Sequence, residues 1–197
     1  MPRIRLIAGL GNPGRRYEGT PHNVGAWWVR DIAARFSVPM AARARFRGSV
    51  GRGDVLGRDV WLLVPSTYMN LSGESVGALS RFYGIAPDET LIAHDEVDFP
   101  VGVARLKNGG RHHAHNGVAS VVAGLGNRSD FVRLRIGVGH PGRRGMIGFL
   151  TGKKLGKRDR ARVEASLEMD DALLALLVDG ELDKAMSRFH ARKSTAE

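Results

Sequence analysis

Short apolar runs that are each followed within a few residues by a polar turn constrain the fold of this chain more than any other feature. The runs are Leu6-Ile7-Ala8, Trp61-Leu62-Leu63-Val64 and Leu91-Ile92-Ala93. The polar turns that follow them are Gly9–Gly14, Thr67–Gly73 and His94–Glu96. In α/β folds the ligand crevice lies beyond the carboxyl ends of the strands. We therefore expect the three turns to meet at one site.

Strand-like and helical segments alternate along the chain. Strands are predicted at Ile4–Gly9, Leu91–Ala93, Val101–Leu106 and Leu134–Val138, with two more between residues 46 and 64. Helices are predicted at Asn23–Phe36 with Asn23 as N-cap, at Leu71–Tyr83 stopped by Gly84, and at Val118–Leu125, Arg160–Val178 and Leu182–Arg192. This alternation predicts an α/β fold, a single domain with a twisted, mixed, mostly parallel sheet flanked by helices. We expect that domain at residues 1–190, with a basic helical C-terminal region at 153–190 and a disordered tail at 191–197.

The composition narrows the class of protein. The formal net charge of +10 would attract polyanions such as nucleic acid. However, 24 of the 30 basic residues are Arg, and a genome of biased base composition produces the same excess. The absence of Cys excludes disulfides and thiolate chemistry. With no apolar stretch near the ~20 residues that span a bilayer and no signal-like N-terminus, we expect a cytoplasmic protein without a membrane partner.

Two familiar patterns in the sequence lack the context that they need. The glycines at 9, 11 and 14 have the dinucleotide-binding spacing, but Pro13 and Pro21 delay the helix that would receive a pyrophosphate to about residue 23. His112, His113 and His115 lie too close together in a loop to converge easily on one ion, and no carboxylate shares the spacing of a known site. We therefore predict neither a nucleotide cofactor nor a metal.

The segment Gly73-Glu74-Ser75-Val76-Gly77 matches a nucleophile elbow formally, and Asp95 and His115 follow it in triad order. A nucleophile elbow must lie on the sharp turn between a strand and a helix, whereas Ser75 is predicted about one turn inside a helix. We expect an exposed helical serine between glycines that pack against another helix. A serine esterase remains the alternative.

The remaining candidates are His22, Asp95 and the amide side chains of Asn12, Asn23, Asn70 and Asn116. A histidine accepts a proton near neutral pH, and a carboxylate partner fixes its tautomer and raises its basicity. Amide N–H groups can donate to a carbonyl or to a developing oxyanion. Because no nucleophilic Ser or Cys is credibly placed, these residues favour direct attack by a His-activated water on an ester or a similarly labile bond.

Seven segments, in order from about residue 4 to residue 150, resemble the bacterial peptidyl-tRNA hydrolase family. They are Gly9–Gly14 with Tyr17, Thr20–Gly25, Pro65–Gly73, His94–Gly102, Arg105–Lys107, His115–Gly117 and Phe131–Gly137. The resemblance implies a monomeric cytoplasmic enzyme of translation that needs no cofactor. It would cleave the ester between peptide and tRNA, contacting the acceptor stem, the CCA end and the nascent peptide. This reaction recycles tRNA from prematurely released peptidyl-tRNA.

The resemblance also implies roles for individual residues. His22 would be the base that activates water, Asp95 would support it, and Asn12 would help to distinguish N-blocked peptidyl-tRNA from free aminoacyl-tRNA. Residues expected to contact the tRNA 3′ end or the peptide main chain are Tyr17, Tyr68, Asn70 and Asn116. Met69 would pack beneath the site and His115 would support it. Lys107, Arg135 and Arg144 are expected to bind tRNA phosphates.

The chain also departs from the family pattern at three places, one of which is the segment Ile147-Gly148-Phe149-Leu150, a weak version of the family's usual aromatic-valine-leucine-glycine stretch. Pro21 stands before His22, where family members usually have Arg, and the loop Gly109–Ala114 contains fewer glycines than usual. A second alternative is therefore an RNA-binding protein on the same scaffold that has lost hydrolysis. The presence of His22, Asp95 and the amides argues against it.

Overall fold

The computed structural model describes residues 1–110, 115–142 and 145–191 of the chain. Within these residues, seven strands form one sheet in the order β2-β3-β4-β1-β5-β7-β6. The strands are β1 Leu6–Gly9, β2 Ala41–Arg43, β3 Gly48–Asp54, β4 Asp59–Pro65, β5 Thr90–Glu96, β6 Ala104–Asn108 and β7 Val132–Gly137. The helices are α1 Val24–Arg35, α2 Ser72–Tyr83, α3 Asn116–Gly124, α4 Met146–Gly152, α5 Lys157–Leu167, α6 Asp171–Val178 and α7 Leu182–Ala191.

The sheet is mixed, as the sequence predicts, and its parallel part lies in the centre. Strands β4, β1, β5 and β7 run parallel to one another, whereas β3 pairs antiparallel with β4 and with β2 on one side, and β6 pairs antiparallel with β7 on the other. Parallel and antiparallel pairings are therefore equally numerous among the described strands. The sheet is mixed, but it is not mostly parallel. The carboxyl ends of β1, β4 and β5 lie at one edge, because these three strands are adjacent and parallel.

Helices cover both faces of the sheet, and the alternation of side chains along β1 shows the two layers. Ile7 belongs to a core cluster shared with α1, α5, α6 and α7, whereas Leu6 and Ala8 belong to a second cluster shared with α2 and α3. Successive side chains of a strand point to opposite faces, so a strand covered on both faces must be apolar throughout. This explains why the central strands read as uninterrupted apolar runs.

Glycines let two helices approach neighbouring backbone closely. A Cβ on Gly25 in α1 would lie 2.2 Å from the carbonyl oxygen of Ala93 in β5. A Cβ on Gly73 in α2 would lie 1.8 Å from the carbonyl oxygen of Ser120 in α3. Only glycine fits such contacts, which hold α1 against β5 and α2 against α3.

The C-terminal region differs from the prediction. The single helix expected at Arg160–Val178 is two helices, because Asp170 caps α6 by accepting a hydrogen bond from the Leu173 N–H at 2.8 Å. Helix α4 and the short edge strand β2 were not predicted. Ala191 ends α7 instead of starting a tail, and residues 192–197 lie outside the described residues. Across the described residues, no helix is long and apolar enough to span a membrane.

Candidate active site

The turns after β1 and β4 meet at the carboxyl edge of the sheet, as the sequence predicts. The Asn12 Oδ1 accepts a hydrogen bond from the Met69 N–H at 2.8 Å. The Leu10 N–H donates to the Ala93 carbonyl at 2.9 Å, which ties the turn after β1 to strand β5. One asparagine side chain therefore connects two turns that lie 57 residues apart in the chain.

The Asp95 carboxylate lies between two imidazoles at this edge. The Asp95 Oδ1 is 2.8 Å from the His22 Nδ1 and 2.8 Å from the His115 Nε2. His22 precedes α1 in a 3-10 turn, Asp95 belongs to β5, and His115 is the N-cap of α3. The Asp95 Oδ2 is buried and has no hydrogen-bond partner among the described residues. Three separate elements thus bring this His–Asp–His group together.

The hydrogen bonds assign the tautomers of both imidazoles. The His115 Nδ1 accepts from the N–H groups of Gly117 and Val118 at 3.1 and 3.3 Å, so its Nε2–H donates to Asp95. His22 donates its Nδ1–H to the same carboxylate, which leaves the lone pair on its Nε2. No hydrogen bond from the described part of the chain engages that Nε2. His22 is therefore held in the form that a general base requires.

The two imidazoles keep Asp95 ionised. Burial alone would raise the pKa of the Asp95 carboxyl, but His115 and His22 together outweigh burial and hold that pKa well below its usual range. For His115, burial lowers the pKa and the Asp95 carboxylate raises it, with a net rise. The backbone N–H groups that donate to Nδ1 oppose protonation of this ring. Asp95 thus supplies a full negative charge beside the His22 Nδ1–H.

Asp95 was predicted in a turn that follows the apolar run Leu91-Ile92-Ala93, and this placement is wrong. His94, Asp95 and Glu96 are the last three residues of β5, which is buried along its whole length. The strand extends further than its apolar run because β7 pairs with it as far as Glu96 and Gly137, whereas β1 ends at Gly9 opposite Ala93. Asp95 therefore lies where the sheet opens beyond the end of β1.

Asn23 has a different contact from the one predicted. It lies at the N-cap position of α1, but its side chain makes no capping hydrogen bond. Instead, its Oδ1 accepts from the Asn12 N–H at 2.8 Å and its Nδ2 donates to the Asn12 carbonyl at 2.9 Å. This two-way link fixes the glycine-rich turn against the residue that follows His22. It thereby positions Asn12 and His22 relative to each other.

The other predicted substrate contacts are distributed around this group. Met69 is buried beside Asn12, whereas Asn70 and Tyr68 are exposed, with 57% of the Tyr68 surface accessible. Asn116 is exposed at the first residue of α3, next to His115, and Tyr17 is partly exposed in the turn before His22. Of these residues, Asn116 directly follows His115, and Tyr68 and Asn70 flank Met69, whose N–H donates to Asn12.

Two of the three predicted basic contacts lie on the strands beyond β5. Lys107 is partly exposed on β6. Arg135 on β7 donates to the Glu96 Oε2 at 2.8 Å and lies over the Phe99 ring, with its guanidinium carbon 4.4 Å from the ring centroid. The sequence reasoning missed this role of Glu96. Arg144 lies outside the described residues, as do His112 and His113.

A metal could in principle use the same three side chains. In the described part of the chain, ligand atoms of His22, Asp95 and His115 lie within 4.8 Å of one another. The two nitrogens that face Asp95, however, are at hydrogen-bond distances from one oxygen, and hydrogen bonds account for this geometry. A chelator in the assay tests this interpretation directly.

Ser75 does not have the environment of a nucleophile. It is buried in α2, not exposed as predicted, and its hydroxyl donates to the Phe46 carbonyl at 2.6 Å. Replacing Ser75 with Ala is expected to leave hydrolysis unchanged and to lower the free energy of unfolding by about 1 kcal/mol, through loss of one hydrogen bond. Steady-state kinetics and urea unfolding measure the two effects. Loss of hydrolysis in a folded variant would instead support a serine esterase.

His94 should make the stability of the protein depend on pH. Burial, followed by repulsion from His115, lowers the pKa of His94 well below its ordinary value. Below about pH 6.5 the unfolded chain therefore binds a proton at His94 that the folded chain does not, so stability falls as the pH falls. We expect His94→Asn to remove up to about 1.4 kcal/mol per pH unit of this dependence. Urea unfolding of both proteins at pH 5, 6 and 7 measures it, and equal slopes would contradict the prediction.

The fold and the site together define a class: an α/β enzyme with a His–carboxylate pair at the carboxyl edge of its sheet. The family model described as "Peptidyl-tRNA hydrolase" matches residues 6–197. The peptidyl-tRNA hydrolase of Actinobacillus pleuropneumoniae serotype 5b is 45% identical over 195 residues, which are 98% of this chain and 100% of that protein. That of Haemophilus influenzae strain 86-028NP is 46% identical over 194 residues, with the same coverage of each chain.

Solved structures agree with these sequence comparisons. The crystal structure of peptidyl-tRNA hydrolase from Acinetobacter baumannii matches with a TM-score of 0.91 and 42% identity, covering 96% of this chain and 95% of that one. The chain belongs to the peptidyl-tRNA hydrolase family, and it is therefore an enzyme of the hydrolase class.

Proposed function

We propose that this protein hydrolyses the ester between the peptide and the tRNA of peptidyl-tRNA, using a water molecule activated by His22. The observation that carries the mechanism is the 2.8 Å contact between the His22 Nδ1 and the Asp95 Oδ1. This contact leaves the His22 Nε2 lone pair available for the proton of a water molecule. Family membership supports the choice of substrate.

In this mechanism His22 takes one proton from water and later returns it to the leaving oxygen, while Asp95 transfers none. The His22 Nε2 takes a proton from water, and the resulting hydroxide attacks the ester carbonyl carbon. The imidazolium that forms is stabilised by Asp95, which remains ionised. When the tetrahedral intermediate collapses, the bond to the ribose oxygen breaks and His22 returns the proton to that oxygen. The products are a peptide carboxylic acid, which releases its proton to the solvent, and a tRNA with a free terminal hydroxyl.

Asn12 is suited to recognise the blocked amino group of the substrate. Its Oδ1 is occupied by the Met69 N–H, so the amide orientation is fixed and the Nδ2 remains as a donor. A peptide or N-acyl group offers a carbonyl oxygen to such a donor, whereas a free α-ammonium group offers only further donors. We assign to Asn12 the discrimination of peptidyl-tRNA from aminoacyl-tRNA. Asn70 and Asn116 supply further N–H groups to the peptide main chain or to the developing oxyanion.

The tRNA is held by charge and by stacking. A net charge of +10 suits a polyanionic substrate, and Lys107, Arg135 and Arg144 contact its phosphates. Tyr17 and Tyr68 stack on the single-stranded CCA end, which proteins commonly hold on aromatic rings. On this proposal the protein acts as a cytoplasmic monomer that returns tRNA from prematurely released peptidyl-tRNA to translation.

The proposal is tested with matched N-acetylated and free aminoacyl-tRNA, in the presence of EDTA. We expect release of the N-acetyl-amino acid only, with no effect of the chelator. In Asn12→Asp the new carboxylate keeps an acceptor for the Met69 N–H but has no N–H donor. This variant should lose preference for the blocked ester. Inhibition by EDTA would indicate a metal mechanism, and tRNA binding without hydrolysis would indicate an RNA-binding protein.

A further inference from the structure

We propose that His94 is a positioning residue, which holds the end of β5 so that Asp95 presents one oxygen to both His22 and His115. His94 is 1% exposed and directly precedes Asp95. Its Nδ1 is 2.7 Å from the main-chain carbonyl oxygen of Asp95. A carbonyl oxygen only accepts, so the His94 Nδ1 carries the proton and donates it.

The Asp95 carbonyl lies where the sheet can no longer provide a partner. The Ala93 carbonyl accepts from Leu10 on the β1 side, and the Glu96 carbonyl accepts from Val138 on the β7 side. Because these directions alternate along a strand, the Asp95 carbonyl points to the β1 side. The β1 strand has already ended at Gly9, opposite Ala93. The side chain of His94 therefore takes the place of the missing strand N–H.

This hydrogen bond acts on the residue that carries the reaction's negative charge. The Asp95 Oδ1 must meet two imidazoles at 2.8 Å, and its Oδ2 has no described partner that would help to fix the carboxylate. The orientation of the carboxylate therefore depends on the backbone of Asp95, which His94 holds. The His94 ring also packs edge-on against the His115 ring, with centroids 4.8 Å apart. His94 thus touches both members of the group that support His22.

His94 itself is unsuited to proton transfer with the substrate. Its Nδ1 is committed to the Asp95 carbonyl, and its Nε2 is buried without a hydrogen-bond partner among the described residues. A positive charge on this ring would be disfavoured by burial and would face His115 and Arg133, and these effects outweigh the favourable contacts with the Asp95 carboxylate and carbonyl. His94 therefore acts through Asp95 and His115 as a neutral donor.

Three substitutions distinguish the effect of the hydrogen-bond donor of His94 from the effect of the volume of its ring. In His94→Asn the side-chain amide nitrogen can occupy the place of Nδ1, so the hydrogen bond is kept. His94→Gln carries the same amide one carbon further out, near the place of Nε2. His94→Leu has similar bulk and no donor. We expect Asn to retain kcat within about threefold, and Leu and Gln to lose about tenfold or more in kcat, as misplaced catalytic groups do.

The division between kcat and KM distinguishes positioning from a general structural role. Because His94 is buried away from the substrate, KM for N-acetyl-aminoacyl-tRNA should stay within about twofold in all three variants. Thermal unfolding should show no correlation between Tm and kcat, since Leu suits a buried site. Wild-type kcat in the Leu variant would overturn the proposal, and so would equal losses in Asn and Leu. If the Leu variant does not fold, the Asn and Gln variants are compared instead, and equal kcat values in these two would overturn the proposal.

This inference rests on the proposed His22–Asp95 mechanism, and His22→Ala measured in parallel separates the two. Full activity in His22→Ala would refute the mechanism itself. An inactive His22→Ala together with wild-type kcat in His94→Leu and His94→Gln would refute only the role of His94.

Discussion

Replacing His22 with Ala is expected to lower kcat for N-acetyl-aminoacyl-tRNA by about 10² to 10⁴, the range that a general base contributes. The reason is local. His22 presents its only free nitrogen after donating Nδ1–H to Asp95, and no other described imidazole in the group has a free acceptor on the open side. Binding of the tRNA should remain close to that of the wild type, because the substitution leaves in place the Lys and Arg residues that we propose to contact the tRNA phosphates. Single-turnover hydrolysis and filter binding measure the two quantities.

Two companion experiments make the His22 prediction specific. Asp95→Asn keeps the shape of the side chain but removes its charge, and its amide can present an N–H to His22 and favour the wrong tautomer. It should therefore lose kcat to a similar extent. The wild-type rate should rise with pH through the range in which an imidazole loses its proton and then level off. A rate independent of pH between about 5 and 8 would argue against a histidine base.

Replacing Gly25 with Ala is expected to destabilise the protein strongly. The added Cβ would lie 2.2 Å from the Ala93 carbonyl oxygen and 3.0 Å from the Leu10 nitrogen, which are backbone atoms and cannot rotate away. Helix α1 must then move off β5. Overpacking of this kind lowers the free energy of unfolding by about 1–3 kcal/mol or more. Because His22 lies three residues before Gly25 and Asp95 two residues after Ala93, kcat should fall as well.

Gly148→Ala is the matched control for Gly25→Ala. Gly148 is also helical, in α4, but no atom of a neighbouring described element lies within 4 Å of its added Cβ. Alanine there should raise stability slightly, by up to about 1 kcal/mol, because it restricts the unfolded chain and favours helix. Urea unfolding of both variants measures the difference. Equal effects at the two positions would contradict the close approach of α1 to β5.

Several candidate residues could be located relative to the strands and helices from the sequence, because their signals are local. His22 and the amides of Asn12, Asn70 and Asn116 stand next to strand or helix ends that apolar patterns reveal. Asp170 illustrates the opposite case: a single N-cap divided a long helical pattern into α5 and α6, and periodicity alone does not register such a break. Strand β2 is three exposed residues long, so its sequence has no apolar pattern to detect.

Other features depended on partners that are distant in the chain. Asn23 looks like a helix cap from its neighbours, but Asn12 offers both a backbone donor and an acceptor to its side chain. Ser75 looks exposed on a helix, but the Phe46 carbonyl lies within reach of its hydroxyl. In both cases a contact across the fold replaced the local one, and residue spacing carries no information about such contacts.

The sequence by itself determined the layered α/β fold and the set of residues at the carboxyl edge of the sheet. Apolar periodicity specifies which segments must be buried, and strands buried on both faces require helices on each side. Only the tertiary structure decided that β5 continues through Asp95 and that one carboxylate oxygen serves both His22 and His115. It also decided that His94 faces the carbonyl left open by the end of β1. These outcomes follow from where neighbouring strands stop, which is a property of pairing between distant segments and not of any segment alone.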